Sequence, residues 1–340
     1  MPILYLGRQD FEKTGVSNGS YLPVIWDHIA NSLANLGKGK ATAPLDLYLR
    51  PGKEGYLDRI IAKTAFLEST EGDGTAISGL KWIASAPLNP SVGLPRANGV
   101  VILNDPKTGE VKAILDAAPI NALRTAAVSV VALLRLDPNF SKLSIIGAGV
   151  IGEEHLRQIL NAFKLGLLPE LKEIYICDTI QLVSEKLYCK YKPIASEHKL
   201  RLEHTTAINH CFSDNTAACV ATNALTPYLD ETLINRINNL SVIHVSLRDF
   251  KASAIACFDT VVVDSWEHVA RENTSIDIAH KSGFIQKKDC LELTTYLAGM
   301  DNRNISGNII VNPMGISVTD LTIAELACQV AMVKGIGTYL

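Results

Sequence analysis

A glycine-rich turn at residues 147–152 constrains this chain more than any other feature of its sequence. The turn reads Gly147-Ala-Gly-Val-Ile-Gly152, follows the apolar run 143–146 and precedes a stretch in which apolar residues recur at helical spacing. A strand, a glycine turn and a helix in this order let backbone N–H groups approach the pyrophosphate of a dinucleotide. Gly147 is expected to make the tight turn, Gly149 to admit the phosphates, and Gly152 to bring the helix close to its strand.

The choice of dinucleotide rests on an acidic residue after the next strand. The strand-like run 173–177 ends at Asp178, which lies 26 residues after Gly152. A carboxylate at this place accepts hydrogen bonds from a ribose 2′-OH and repels a 2′-phosphate. The following residues, Thr179-Ile-Gln, contain no arginine that would hold such a phosphate. The sequence therefore predicts NAD as the cofactor.

Composition excludes several other classes of protein. The 340 residues are 47% hydrophobic and carry a net charge of −3, with basic residues scattered along the chain. These values are typical of a folded protein and give no electrostatic reason to expect binding to nucleic acid or to an anionic membrane. We therefore expect no nucleic acid and no membrane among its partners.

Cysteine usage and the N-terminus bear on location. The seven cysteines are odd in number and show no CxxC spacing, which favours free thiols in a reducing compartment and suggests no metal site. The N-terminus lacks a basic segment leading into a long apolar core, and no stretch is expected to reach the length of a membrane span. We therefore expect a cytoplasmic protein.

Hydrophobic periodicity predicts an α/β fold with two parts. A helix is expected at 23–36, followed by strands at 59–62, 100–103 and 111–115 that form an antiparallel sheet. A long helix at 122–136 then leads into the glycine turn, strands recur at 217–222, 241–246 and 260–264, and a last helix covers 321–333. The alternation after residue 121 is that of a doubly wound Rossmann sheet.

These elements suggest two domains. Residues 121–310 are expected to form the Rossmann NAD-binding domain. Residues 1–120, together with a C-terminal tail at 311–340 that returns to them, are expected to form an α+β substrate-binding and dimerisation domain.

Several motifs in order resemble one known family. Lys81-Trp-Ile-Ala-Ser-Ala-Pro-Leu-Asn89 is followed by Gly93-Leu-Pro-Arg96, Thr108-Gly-Glu and Ala122-Leu-Arg-Thr-Ala-Ala127; after the glycine turn come Thr222-Asn-Ala-Leu-Thr-Pro227 and a late Gly-x-x-x-x-Asp ending at Asp320. In this order they resemble the ornithine cyclodeaminase/mu-crystallin family across almost the whole chain. The resemblance implies an enzyme that moves hydride between NAD and an amino acid, and a homodimer built through the antiparallel part.

Within that family the chain looks most like the NAD-dependent dehydrogenases that make 2,3-diaminopropionate for siderophores and non-ribosomal peptides. The segments 81–83, 93–96, 244–249 and 267–275 carry this closer likeness. It implies oxidative cleavage of an N-linked adduct such as N-(1-amino-1-carboxy-2-ethyl)glutamate to 2-oxoglutarate and L-2,3-diaminopropionate. Three alternatives stay open: ornithine cyclodeaminase, which makes proline and ammonia; an imino-acid or ketimine reductase; and a mu-crystallin-like binding protein without catalysis.

Two departures from the family pattern affect the expected site. Lys63-Thr-Ala65 stands where the family usually has Met-Pro-Ala. Ser246-Leu-Arg-Asp-Phe250 stands where ordinary cyclodeaminases have an acid in a Gly-Gly-Asp-Cys-Pro context. Transfer of that catalytic acid to Asp249 therefore depends on an altered motif.

Four basic residues are candidates for binding the substrate. The guanidinium of Arg124 is suited to bidentate hydrogen bonding with an α-carboxylate; the alternative is that Arg124 forms a surface ion pair. Lys81 lies in an apolar stretch where burial would lower its pKa toward the range of proton transfer; its alternative is a structural lysine. Arg96, with Arg50, is expected to bind a second carboxylate unless both are solvated surface charges.

The resemblance also implies catalytic and cofactor-binding residues. The catalytic candidates are Lys81, Asp249 and Asp320, although Asp320 is also explained as a helix cap. No His, Cys, Asp or Glu cluster has the spacing of metal ligands. The residues expected to bind NAD are Gly147, Ala148, Gly149, Val150, Ile151, Gly152, Asp178, Thr222, Asn223, Ala224 and Ser246.

Overall fold

The computed structural model describes residues 2–51, 58–68 and 76–340. The chain separates into two units: unit 1 comprises Met1–Arg124, Leu297–Met300 and Gly315–Leu340, and unit 2 comprises Thr125–Tyr296 and Asp301–Met314. The substrate-binding, dimerisation and NAD-binding roles expected of the two parts remain predictions.

The strands in the described residues are β1 (Leu4–Leu6), β2 (Ala41–Thr42), β3 (Leu47–Leu49), β4 (Arg59–Leu67), β5 (Ile77–Ser85), β6 (Ala97–Asn104), β7 (Val111–Asp116), β8 (Lys142–Ile146), β9 (Glu173–Cys177), β10 (Arg201–Thr205), β11 (Thr216–Val220), β12 (Leu240–His244), β13 (Thr260–Val263), β14 (Cys290–Glu292), β15 (Ile309–Asn312) and β16 (Thr338–Tyr339). The α-helices are α1 (Arg8–Thr14), α2 (Leu22–Gly37), α3 (Ala117–Leu136), α4 (Val150–Lys164), α5 (Gln181–Glu197), α6 (Glu231–Ile234), α7 (Ala252–Ile255), α8 (Trp266–Val269), α9 (Ser275–Lys281), α10 (Leu293–Leu297) and α11 (Ser317–Lys334).

Unit 1 is built on a mixed sheet. Its strand order is β16-β1-β7-β6-β5-β4-β2, and β3 also pairs with β4. Strands β4 to β7 are antiparallel neighbours, as the sequence predicts, whereas β1 runs parallel to β7. In the β4–β5 pair Lys63 lies directly opposite Lys81.

The core of unit 1 lies on one face of this sheet. Because side chains alternate across a strand, Lys63, Ala65, Lys81 and Ile83 are buried while their neighbours point to the other face. Helix α11 packs against α2 and against strands β4 to β6. The C-terminal segment therefore belongs to the core of the N-terminal unit.

Unit 2 has the predicted doubly wound architecture. Its sheet has the order β10-β9-β8-β11-β12-β15-β13-β14, and every pairing is parallel. The central strands β8, β11 and β12 are buried along their whole length, which is typical of a parallel sheet covered on both faces. The α/β fold class is confirmed.

Helix α3 differs from its prediction in two ways. It begins at Ala117, five residues before the predicted start at 122. Contrary to the expectation that no stretch is long enough, α3 has the length and composition to cross a membrane, but most of it is buried inside the structure. That burial is the environment of a core helix.

The packing of the glycine turn shows which of its three glycines the fold requires. Gly147 has a φ of +95°, and a Cβ on it would collide with the carbonyl oxygen of Ala221. A Cβ on Gly152 would collide with the carbonyl oxygen of Gly147, so only glycine lets α4 pack this closely. Gly149 is the N-cap of α4, and a Cβ on it would meet no atom within 4 Å. No packing within the described structure requires a glycine there.

These contacts predict a stability loss for one Gly→Ala substitution and little change for another. Gly152→Ala should lower the free energy of unfolding by about 1–3 kcal/mol, the usual cost of overpacking a close contact. Gly149→Ala is the matched control and should change it by less than about 1 kcal/mol, since its methyl group enters open space. Thermal unfolding measures both. Equal stability losses in the two variants would contradict the packing described for Gly152.

Candidate functional site

Three charged side chains and one amide meet inside unit 1. The Lys81 ammonium donates hydrogen bonds to Asp320 Oδ1 (2.7 Å) and to Asn121 Oδ1 (3.1 Å). Arg124 donates from Nη2 to Asn121 Oδ1 (2.9 Å), and its Nε lies 3.1 Å from Asp320 Oδ1. Lys81 and Asp320 are fully buried and Arg124 is 8% exposed. These four residues are called the Lys81 cluster below.

Distant parts of the chain supply the cluster. Strand β5 turns Lys81 toward the core, α3 carries Asn121 and Arg124 three residues apart on one face, and α11 supplies Asp320 in its first turn. Burial excludes the alternatives of a surface ion pair for Arg124 and a structural lysine with a solvated ammonium for Lys81. The alternative in which Asp320 caps its helix is also wrong, since the N-cap position is held by Ile316.

Burial and neighbouring charges set the protonation of this cluster. The pKa of Lys81 is lowered from 10.5 to about 7, mainly by burial; the Asp320 carboxylate opposes this shift, and the positive charges of Arg124 and Lys63 add to it. Burial by itself would raise the pKa of Asp320, but Arg124 and Lys81 outweigh it and hold that pKa below its usual range. Asp320 is therefore ionised at neutral pH, and Lys81 titrates there.

The charges of the cluster favour an anionic ligand. When Lys81 is protonated, Lys81 and Arg124 bring two positive charges against the one carboxylate of Asp320. Asp320 Oδ2 is buried and has no hydrogen-bond partner in the described part of the chain. The cluster can neutralise one bound carboxylate, and Lys81 can exchange a proton with a group held beside it.

A second ion pair lies next to the cluster. Lys63 donates to Asp46 Oδ2 (2.5 Å) and to the carbonyl oxygen of Gly315 (2.8 Å), and both charged side chains are buried. Gly315 has a φ of +87° and packs so closely on Arg124 that a Cβ would overlap the guanidinium. Gly315 therefore touches both the Lys63 pair and the Lys81 cluster.

In unit 2 the predicted cofactor residues meet at one edge of the sheet. Residues 147–152 follow β8, Asp178 follows β9, the 222–224 segment follows β11, and Ser246 follows β12. These four strands are consecutive neighbours and parallel, so their carboxyl ends lie side by side. That edge is where open α/β sheets bind dinucleotides.

Asp178 also shapes the glycine turn. Its Oδ2 accepts a hydrogen bond from the backbone N–H of Ala148 (2.9 Å), and its Oδ1 accepts one from Ile180 (3.0 Å). The N–H of Gly147 donates to the carbonyl oxygen of Cys177 (2.8 Å). The acidic residue predicted to contact a ribose is thus tied directly to the predicted phosphate turn.

Asp249 organises the neighbouring strand ends. Its carboxylate is fully buried and accepts hydrogen bonds from the hydroxyls of Thr222 and Ser246. His244 Nε2 lies 3.2 Å from Asp249 Oδ2, and its Nδ1 lies 2.9 Å from Asn312 Oδ1. Burial would raise the pKa of Asp249, but these polar neighbours hold it below its usual range. This arrangement favours a positioning role for Asp249 over the direct catalytic role predicted from the motif.

The remaining predicted residues have different surroundings. Arg50 and Arg96 are exposed, and the Arg50 guanidinium lies 5.3 Å from the centre of the Tyr48 ring. The sequence reasoning missed Asn121 and the Lys63–Asp46 pair. Asn121 could have been found, because it lies three residues before Arg124 and residues at that spacing share one face of a helix.

Comparison with known proteins gives a consistent picture. The sequence model of the ornithine cyclodeaminase/mu-crystallin family matches residues 16–186. The N-((2S)-2-amino-2-carboxyethyl)-L-glutamate dehydrogenase of Staphylococcus aureus is 31% identical over 99% of this chain and 98% of its own length. A Delta(1)-pyrroline-2-carboxylate reductase of Bacillus cereus is 26% identical over 81% of this chain and 83% of its own length.

Solved structures share the fold. The Thermococcus litoralis Delta(1)-pyrroline-2-carboxylate reductase, solved with NADH and L-proline, has a TM-score of 0.85 at 23% identity and covers 99% of this chain and 100% of its own. An archaeal alanine dehydrogenase dimer with bound NAD has a TM-score of 0.79 at 21% identity, with 100% and 99% coverage.

The network around Asp249 predicts a stability loss on neutralisation. In Asp249→Asn one of the two half-buried hydroxyls, those of Thr222 and Ser246, loses its carboxylate acceptor, so the free energy of unfolding should fall by about 1–3 kcal/mol at pH 7. Since the folded-state pKa of Asp249 lies below its usual value of about 4, this contribution is present above that pH and is lost as the pH falls through the lowered pKa. Urea unfolding at pH 7 and in acid measures the difference. Asp230→Asn, at an exposed helix cap in the same unit, is the control; equal losses in the two variants would contradict the network's role.

Proposed function

This chain belongs to the ornithine cyclodeaminase/mu-crystallin family, and from that membership we propose that it is an NAD-dependent dehydrogenase that oxidatively cleaves N-(1-amino-1-carboxy-2-ethyl)glutamate. The observation that carries the proposal is the 31% identity to the Staphylococcus aureus dehydrogenase, which extends over 99% of the chain. The products are 2-oxoglutarate and L-2,3-diaminopropionate, and the proposed pathway is siderophore or non-ribosomal peptide biosynthesis.

The proposed reaction has two stages. The C–H bond at the glutamate Cα and the N–H bond of the bridging amine are broken, giving an imine, NADH and one proton. Water then adds to the imine carbon, and the C–N bond breaks to release the ketone of 2-oxoglutarate and the amine of L-2,3-diaminopropionate. One NAD⁺ and one water are consumed for each adduct.

The described residues of unit 2 fit NAD. The open space beside Gly149 and the positive φ of Gly147 allow phosphate to approach the first backbone N–H groups of α4. Asp178 stands at the end of β9, where a carboxylate accepts hydrogen bonds from the adenosine ribose. When bound, NAD⁺ supplies the hydride acceptor, and the residues after β11 and β12 complete the edge that would hold it.

The Lys81 cluster would bind and deprotonate the substrate. Arg124 is oriented by Asn121 and Asp320, so its guanidinium is held ready for the α-carboxylate of the reacting glutamate carbon. Lys81 in its neutral form would accept the proton from the bridging amine as the C–H bond breaks. Asp320 holds the Lys81 Nζ in place and stabilises the ammonium that results.

The adduct carries further carboxylates, which need further cations. We propose Arg96, with Arg50, for one of them, as the Gly-Leu-Pro-Arg96 motif indicates. Both side chains are exposed, so their interaction with a carboxylate is screened by water and should be worth less than that of buried Arg124.

A reductase is the second candidate function. The match to the Bacillus cereus Delta(1)-pyrroline-2-carboxylate reductase favours this function. The residues of the Lys81 cluster could also serve the reverse reaction, in which hydride is transferred from NADH to an imine. In that direction Lys81 would donate its proton to the imine nitrogen.

One assay separates these functions. The purified protein is given the glutamate adduct, ornithine or Delta(1)-pyrroline-2-carboxylate with NAD⁺ or NADH, and absorbance at 340 nm and product masses are followed. The proposal predicts NADH with 2-oxoglutarate from the adduct. Proline from ornithine without net NADH indicates a cyclodeaminase, and NADH consumption with the pyrroline indicates a reductase. Cofactor binding without any turnover indicates a binding protein.

The pKa of Lys81 predicts the pH dependence of the oxidation. Because the neutral amine accepts the proton, kcat/KM should rise as the pH increases through about 7 and level off above it. Lys81→Met should lower kcat/KM by about 10²-fold or more and abolish this rise. Steady-state kinetics between pH 5.5 and 10.5 measure it. A wild-type profile that still rises steeply near pH 10 would contradict the proposed base.

We also propose that the chain forms a homodimer through the face of the unit 1 sheet opposite Lys81. The β3–β4–β5 register places Leu47, Leu49, Phe66 and Trp82 on the face opposite Lys81, where they are 39–73% exposed. An apolar face of this kind marks a protein contact.

The dimer predicts that a charge on this face releases monomers. Trp82→Glu combined with Leu47→Glu should halve the mass measured by light scattering, because the buried face would desolvate two carboxylates per subunit. Leu182→Glu, at an exposed apolar residue of unit 2, should leave the mass unchanged. A wild-type monomer, or a dimer unaffected by the double substitution, would refute the proposed interface.

A further inference from the structure

Two lysines stand side by side on the buried face of unit 1. Lys63 on β4 and Lys81 on β5 are directly opposite in the antiparallel register, and directly opposed side chains share one face with Cβ atoms about 5 Å apart. Lys63 is 5% exposed and Lys81 is fully buried. Lys63 is near enough to lower the pKa of both Lys81 and Asp320.

Among the described residues, the two ammonium groups each use two of their three donors. A lysine ammonium has three N–H groups. Within the described residues, Lys63 uses two of them on Asp46 and on the carbonyl of Gly315, and Lys81 uses two on Asp320 and Asn121. The third donors of two neighbouring ammonium groups together suit an anionic oxygen ligand.

The Lys63–Asp46 pair is costly to keep as a purely structural feature. Removing two ions from water costs several kcal/mol each, and replacing a buried ion pair by apolar residues of similar volume is often neutral or stabilising. The strand continues with Ala65 and Leu67, both buried and apolar, so an apolar side chain at 63 would fit the pattern. The cation at this position is better explained by a ligand.

We infer that Lys63 is a specificity-determining residue that binds a second substrate carboxylate, beside the one held by Arg124. The inference rests on the proposed function and deepens it: the substrate class is an amino acid whose reacting half bears two carboxylates, as a glutamate moiety does. The adduct has three carboxylates in all, so this role leaves one for Arg96. Because Lys63 is buried, its hydrogen bond to a carboxylate is less screened than one made by an exposed arginine.

Two matched ligands test this inference directly. 2-Oxoglutarate and 2-oxopentanoate have the same chain length and differ in the distal group, a carboxylate in one and a methyl in the other. Their Kd values for the full-length protein saturated with NADH are measured by titration calorimetry. We expect the wild type to prefer 2-oxoglutarate, and the ratio of the two Kd values reports the second carboxylate alone.

The variants separate binding from packing. Lys63→Met with Asp46→Asn removes both buried charges and should reduce the preference at least about tenfold, the effect of losing one hydrogen bond between charged groups. If the double variant does not fold, Lys63→Gln replaces it in the test. This variant can still hydrogen-bond to Asp46 and should reduce the preference for 2-oxoglutarate by a similar factor. Asp46→Asn keeps the cation and should retain the preference.

Several outcomes would overturn the inference. A wild type that binds 2-oxoglutarate and 2-oxopentanoate equally well would do so, as would a folded Lys63 variant that keeps the wild-type ratio of the two Kd values. A Lys63 variant in which the binding of both ligands is weakened by the same factor would overturn it as well. If the adduct is not turned over but the preference exists and depends on Lys63, the proposed reaction fails while the carboxylate site stands.

Discussion

The ion pair between Lys81 and Asp320 is the interaction on which the organisation of unit 1 depends. Its two partners are 239 residues apart in sequence and both are fully buried. A buried charge is tolerated only when its partner and hydrogen bonds are held in good geometry. The pair keeps this geometry only while strand β5 and helix α11 stay packed together, and the buried apolar side chains of α11 hold that helix in the core of the N-terminal unit.

The same burial gives the site its chemistry. A lysine in water is protonated throughout the physiological range, but removal from water and the neighbouring cations bring Lys81 to the pH at which it can both take and give a proton. Asp320 opposes this shift and prevents a larger one. Unit 2 uses a buried carboxylate differently, because Asp249 accepts hydrogen bonds from the hydroxyls at two strand ends and so fixes the edge of the sheet.

Sequence patterns predicted much of this structure because they report local requirements. The glycine turn is recognisable because Gly147 and Gly152 have no room for a Cβ. The main strands and helices can be predicted from the spacing of the apolar residues along the sequence. The start of α3 was missed because Pro119 follows it: a proline often marks a helix boundary, but it is tolerated in the first turn of a helix, where Pro119 lies. The Lys63–Asp46 pair was missed for another reason: a lysine on a strand gives no local sign of whether it faces solvent or a carboxylate 17 residues earlier. The alternatives for Asp320 could likewise be resolved only by its tertiary partners.

The fold lowers the pKa of Lys81 until this lysine titrates near neutral pH. The most direct measurement is NMR titration of the protein labelled with ¹³C at lysine Cε, with the Lys81 signal assigned by its absence in Lys81→Met. We expect one lysine signal that titrates with a midpoint near pH 7 and is lost in that variant. A Lys81 signal that stays in the ammonium form until about pH 10 would show that the fold does not lower the pKa of this lysine.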